Sequence, residues 1–136
     1  MPYFEFSNFY TRRIVIDDVP WDSTEHYYQA HKFLDIEVQE FIRGQLSPGD
    51  AARAGRSEGF PLRSDWGQVK ELVMFEALCA KFTQHDDLKR LLLGTGDQIL
   101  VEASSKDSYW GWGWDRMGKN RLGYLLMDLR KLIRLG

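Results

Sequence analysis

The chain has 136 residues, 43% hydrophobic and 28% charged, enough for one domain that buries a core without disulfides or a structural metal. A net charge of −2 gives no global pull toward nucleic acid or anionic membrane, so any phosphate binding has to be local. The lone cysteine, Cys79, excludes an internal disulfide and reads as a buried thiol within an apolar helical run.

The opening MPYFEFSNFY has no basic stretch followed by an apolar one, and no run is long enough to span a membrane, which predicts a cytoplasmic protein. Tyr3 to Phe9 reads as extended, and the β-branched stretch Arg13 to Asp17 around Asp17-Asp18 predicts a small hairpin or two short strands. Asp22, Ser23 and Thr24 are all good caps for a helix from Thr24 to Asp35. A second helix is predicted over Val38 to Leu46. A short third starts at Pro48, capped by Ser47, and continues through Arg53. Ser64 or Asp65 opens the longest helix, Trp66 to Phe82, whose apolar residues spread widely around it and predict a central position. His85 to Leu93 forms another, stopped by Gly94 and Gly96. Gln98 to Ala103 predicts a short buried strand, and Ser104 to Gly118 an irregular, tryptophan-rich segment. A last helix, Asn120 to Arg134, turns Leu122, Leu125, Leu126, Leu129 and Ile133 inward. The sum is a mainly α fold (α+β with a minor β element) in a single compact domain.

At about 100° per residue, Glu25, Gln29 and Lys32 fall within roughly 60° of one another on the first helix. Ile36 continues that stripe, while Tyr27, Ala30, Phe33, Leu34, Val38 and Phe41 lie opposite. A polar stripe with an apolar member suits a ligand pocket. Each residue also has a plainer role. With Asp22 as cap, Glu25 closes a capping box. Lys32 is a solvated lysine, a phosphate contact, or a nucleophile if its neighbours depress its pKa. His26, His31 and His85 lack metal-ligand spacing. Arg53, Arg56 and Arg63 form a solvated basic loop or a phosphate clamp. Trp66 is a core anchor or one wall of a nucleobase slot. Trp110, Trp112 and Trp114 alternate with Gly111 and Gly113, which fits a strand with one aromatic face or a loop whose amides approach a ligand. Asp107 precedes them in a loop, where an acid favours function. Arg130, Lys131 and Arg134, with Arg116, Lys119 and Arg121, are candidates for one basic patch. Phosphate-binding glycine loops, nucleophile elbows and zinc patterns are absent, which disfavours nucleotide kinases, dehydrogenases and serine hydrolases.

Ordered blocks carry more. They are S-N-F (Ser7 to Phe9), W-x-x-x-E-H-x-Y-Q-A-x-K-F (Trp21 to Phe33), A-x-x-G-R (Ala52 to Arg56), R-x-D-W (Arg63 to Trp66) and V-M (Val73, Met74). A-K-F (Ala80 to Phe82), T-G-D (Thr95 to Asp97), L-V-E-A-S-x-x-D-x-x-W-G (Leu100 to Gly111) and N-x-L-G-x-L-L-M-x-L-R (Asn120 to Arg130) follow. Together they resemble the NADAR family, also called YbiA-like, across nearly the whole chain. The resemblance implies a mainly helical fold and chemistry on N-linked ribose phosphates, and no cofactor or metal is expected. Some members resemble N-glycosidases that split an aminouracil from ribose 5-phosphate in riboflavin synthesis. Others remove ADP-ribose from guanine bases, often as antitoxins to DNA-modifying ADP-ribosyltransferases.

The family's acid–tryptophan–acid set falls on Glu25, Trp66 and Asp107, and its lysine on Lys32. The resemblance gives substrate contacts to Asn8, His26, Gln29, Arg53, Arg56, Arg63, Trp110, Gly111 and Asn120. Expected partners are a ribose-phosphate nucleoside or ADP-ribose substrate, ADP-ribosylated DNA and such a toxin, with no membrane. ADP-ribosyl-base hydrolysis is the first expectation, phosphoribosylaminouracil cleavage the second, and a non-catalytic ADP-ribose binder the alternative of another class.

Overall fold

The computed structural model describes residues 3–104 and 106–136, so Ser105, within the tryptophan-rich segment, lies outside the described residues. It holds six α-helices and a two-stranded sheet among those residues, a mainly α fold with a minor β element as the sequence predicts. The residues group into two compact units, Asn8–Gln84 and Met1–Ser7 with His85–Gly136. No helix of the described residues is long and apolar enough to cross a membrane.

In the unit Asn8–Gln84, strands β1 (Ile14–Ile16) and β2 (Val19–Trp21) pair antiparallel, with Ile14 opposite Trp21 and Ile16 opposite Val19. Asp17 and Asp18 both take positive φ, 53° and 64°, as a two-residue hairpin turn demands. Helices α1 (Thr24–Ala30), α2 (Ile36–Arg43), α3 (Pro48–Gly55) and α4 (Trp66–Gln84) follow. The Gln84 side chain forks onto Val15, accepting from its N–H at 2.9 Å and donating to its carbonyl at 2.7 Å, so the end of α4 closes the edge of β1.

The hub of this unit is α1 rather than the longer α4. Every residue of α1 is buried, and it packs against α2, α3 and α4. It also ends earlier than its periodicity suggests. The His31 imidazole and its backbone N–H both reach the Tyr27 carbonyl, at 2.7 and 3.2 Å, and the chain then tightens into i→i−3 bonds through Phe33. Asp35 caps a separate helix, accepting from the Glu37 N–H at 2.9 Å. The apolar stripe therefore runs across two helices, and Leu34 and Ile36 are 70% and 67% exposed. Ile36 does not share a face with Glu25.

In the other unit, a 3-10 turn (Phe4–Phe6) replaces the extended opening, and α5 (Asp86–Gly94) packs on α6 (Arg121–Leu135). Gln98 to Ala103 is not a strand, and Ile99 is 79% exposed. Its backbone bonds the Asn120 side chain and the Trp112 N–H, which donates to the Glu102 carbonyl at 2.9 Å, and no neighbouring strand among the described residues. Asn120 accepts from the Glu102 N–H at 2.9 Å and donates to the Leu100 carbonyl at 3.0 Å. Periodicity cannot reveal a partner of that kind. The tryptophan alternation is not a strand either, but a turn folded on the start of α6. There Lys119, Asn120, Arg121 and Leu122 donate backbone N–H groups to the carbonyls of Ser108, Gly111, Tyr109 and Trp110 at 2.7–3.0 Å.

Candidate active site

The start of α1 decides what Glu25 does. Ser23 is the cap, and its hydroxyl accepts from the His26 N–H at 3.2 Å. The cap is one residue later than Asp22, so His26 fills the third helical position and Glu25 the second. The capping-box reading of Glu25 fails on that register. Its carboxylate instead accepts from Gln29 Nε2 at 2.6 Å, one turn along the same face. At 6% exposed, a carboxylate needs such a donor, because an unpaired charge out of water is costly.

Lys32 sits just past the end of α1, half-buried, with its ammonium 5.8 Å from the centre of the Tyr28 ring. Burial lowers its pKa first, the Glu25 carboxylate opposes this, and the Arg56 guanidinium adds to the lowering. Acid, amine and guanidinium from α1, its following turn and the end of α3 thus share one electrostatic neighbourhood. Tyr28 extends it, since its ring lies 5.1 Å from that of Trp66, the first residue of α4.

The three loop arginines divide. Arg53 is exposed and paired with Asp50. Arg63 donates to both carboxylate oxygens of Asp65, at 2.6 and 3.0 Å, and to the His31 carbonyl at 3.4 Å. Its role is to brace the loop into α4. Arg56 is exposed and its guanidinium makes no hydrogen bond among the described residues, which leaves it the best placed of the three for a phosphate.

Two expected contacts are taken up by the protein itself. Both ring nitrogens of His26 are engaged, Nδ1 with the Ser23 hydroxyl at 2.6 Å and Nε2 with the Gln45 carbonyl at 2.9 Å. Asn8 accepts from the Thr24 hydroxyl at 2.8 Å and donates toward the Met74 sulfur at 3.2 Å. These bonds fix α1 rather than reach outward. Tyr28, which the sequence reading did not single out, joins Lys32 to Trp66. Its place one residue before Gln29 in the Y-Q-A-x-K-F block was the available signal.

Asp107, Trp110, Gly111 and Asn120 belong to the other unit. Asp107 Oδ1 accepts from the Tyr109 and Trp110 N–H groups at 2.9 and 2.8 Å, so this acid shapes its own turn. A Cβ on Gly111 would lie 2.7 Å from the Glu102 carbonyl oxygen and 2.9 Å from that of Asp107. The close approach that glycine permits here is between segments of the chain. Asn120, with φ 51°, bridges Leu100 and Glu102 as described above. The basic patch predicted around α6 loses Arg130, while Arg116, Lys119, Lys131 and Arg134 are exposed. Arg130 is buried and donates to the Thr95 hydroxyl at 2.8 Å, and Arg134 pairs with Asp97 at 3.0 Å. Cys79 is half-buried, and burial, with Glu76 nearby, pushes its thiol pKa up.

Comparison with known proteins gives the family of the chain. The NADAR domain model matches residues 1–134. The chain is 52% identical to N-glycosidase YbiA of Shigella flexneri, over 98% of this chain and 83% of that protein. It is 43% identical to the chloroplastic riboflavin biosynthesis protein PYRR of Zea mays, over 94% of this chain but only 23% of that longer protein. The NMR structure of the E. coli protein YbiA superposes with a TM-score of 0.90 at 51% identity, covering 96% of this chain and 78% of that one. The chain belongs to the NADAR family.

Proposed function

We propose that this protein is an N-glycosidase that cleaves the C1′–N bond of an N-linked ribose phosphate. The observation that carries the reading is the buried Glu25 carboxylate beside an amine, Lys32, whose pKa burial lowers. The N-glycosidase name of the Shigella flexneri relative supports it.

Cleaving this bond builds positive charge on the sugar and negative charge on the departing base. In one route an acid protonates the leaving nitrogen while a carboxylate steadies the sugar or activates water, tasks for which the family resemblance offers Glu25 and Asp107. In the other, a base held through its amine lets the ribose ring open to an imine at C1′. The neutral Lys32 amine adds there and the base amine leaves with a proton. Water then hydrolyses the lysine imine, returning free Lys32 and the sugar aldehyde. Glu25 carries protons between these steps. Both routes sum to one water consumed, a C1′–O bond formed and an N–H restored. Trp66 stacks on the base, and Arg56 contacts phosphate.

The substrate we favour is a free phosphoribosylated aminopyrimidine of the phosphoribosylaminouracil type. The riboflavin biosynthesis name of the Zea mays relative supports it, as does the net charge of −2, which offers no excess positive charge to neutralise a DNA backbone. ADP-ribosylated guanine is the second reading, supported by the exposed Trp114, Arg116 and Lys119 beside the second unit's turn. The test is to incubate the protein with each substrate and measure released sugar phosphate and free base. Release from the aminouracil compound alone is expected, and release from guanine alone reverses the order. Tight ADP-ribose binding with no release from either overturns the enzyme in favour of a binder.

A further inference from the structure

The Gln29 side chain has one end in use and one idle. Nε2 donates to Glu25 Oε2 at 2.6 Å, while Oε1 is buried with no hydrogen-bond partner among the described residues. Gln29 is 3% exposed, so water does not satisfy that oxygen. Its seat is specific. A Cβ placed on Gly55, the last residue of α3, would stand 2.0 Å from Oε1, 2.8 Å from Cδ and 2.9 Å from Cβ of Gln29. Any side chain at Gly55 would evict the amide.

We propose that Gln29, seated on Gly55, is the positioning residue for Glu25 in both of that acid's protonation states. This rests on the glycosidase reading for its purpose. A primary amide carries a donor and an acceptor at equal reach. With Glu25 ionised, the NH2 group faces the carboxylate. With Glu25 protonated, a half-turn of the amide brings Oε1 to accept the carboxylic O–H, and the seat on Gly55 lets the amide turn in place. The proton stays with Glu25 until the leaving nitrogen takes it, and no covalent bond to Gln29 forms or breaks. Among the described residues, Lys32, from the turn after α1, is coupled electrostatically to Glu25 and to Arg56, from the end of α3. The imidazole of the adjacent His26 is held by Ser23 and Gln45.

The experiment is a 13C-carboxyl NMR titration of Glu25 in the full chain without substrate, so it reads the same whether or not the glycosidase reading survives. In the wild type, the Gln29 side-chain amide signals are expected to titrate with the Glu25 midpoint. Gln29→Leu removes the donor to the carboxylate and is expected to raise that midpoint by about one pH unit. Gly55→Ala, which keeps Gln29 but fills its seat, is expected to shift it in the same direction. A merely structural glutamine would lower stability and leave the midpoint where it was. The proposal is overturned by wild-type Gln29 signals that ignore the Glu25 midpoint, a result that needs no variant to fold. It is equally overturned by folded Gln29→Leu and Gly55→Ala proteins with unshifted midpoints.

Discussion

The backbone N–H of Arg63 donates to the carbonyl of Lys32 at 2.9 Å, pinning the loop that enters α4 to the turn that leaves α1. Lys32 and Trp66, 34 positions apart, are registered against each other by this one bond and by the Arg63 fork onto Asp65. The R-x-D-W block is thus a brace, with its arginine turned to the protein.

Arg63→Ala tests this. The Asp65 carboxylate is half-exposed, so losing the pair should cost no more than about 1 kcal/mol of stability. If Arg63 braces Lys32 and Trp66, kcat falls while KM stays within roughly threefold. A KM that rises only for phosphorylated substrate would make Arg63 a phosphate ligand instead.

Lys32→Arg keeps a cation but cannot form an imine. Turnover should drop roughly a hundredfold or more. Borohydride should trap a sugar-phosphate adduct on Lys32 of the wild type and none on the variant. Near-normal turnover of Lys32→Arg would end the imine route and leave the two-carboxylate one.

The pH dependence should separate the influences on Lys32. Catalysis through a neutral amine rises as pH climbs through the Lys32 pKa. Arg56 lowers that pKa and Glu25 raises it. Arg56→Ala should therefore move the rising limb to higher pH, and Glu25→Gln should move Lys32's own 15N titration to lower pH. The same depression carries a stability sign. The unfolded chain binds the Lys32 proton more tightly, so stability gains from this group as pH rises from its folded pKa toward the ordinary lysine value. Shifts of the same sign in the two variants would contradict the assignment.

Asp107 has a turn to hold whatever else it does. Asp107→Asn keeps an acceptor for the Tyr109 and Trp110 N–H groups, whereas Asp107→Ala loses it at a cost of about 1–2 kcal/mol. If the charge matters to the reaction, both variants lose activity and only Asp107→Ala melts earlier. Full activity in Asp107→Asn would reduce Asp107 to a turn anchor.

Legibility followed the range of the interactions. The hairpin, the cap of α3 at Ser47 and the start of α4 at Trp66 were readable because β-branched runs, Asp–Asp turns and capping serines act within a few residues. Where a distant group intervened, pattern failed. Asn120 took the hydrogen bonds that a strand over Gln98 to Ala103 would have given a neighbour, and the His31 side chain helped close α1 before its apolar periodicity ended.

The sequence by itself determined the mainly helical class, the order of the six helices and, through its spaced blocks, the family, since these depend on local propensity and on residue identity. Only the tertiary structure decided which polar groups are spent on the fold. It tied His26 and Asn8 to α1's own support, turned Arg63 and Arg130 inward, and left Glu25 facing Gln29 in place of a cap. The physical reason is that a buried polar atom takes whatever partner folding brings near it, and the distant partners, Gln45 for His26, Thr24 for Asn8 and Thr95 for Arg130, are encoded by no spacing along the chain.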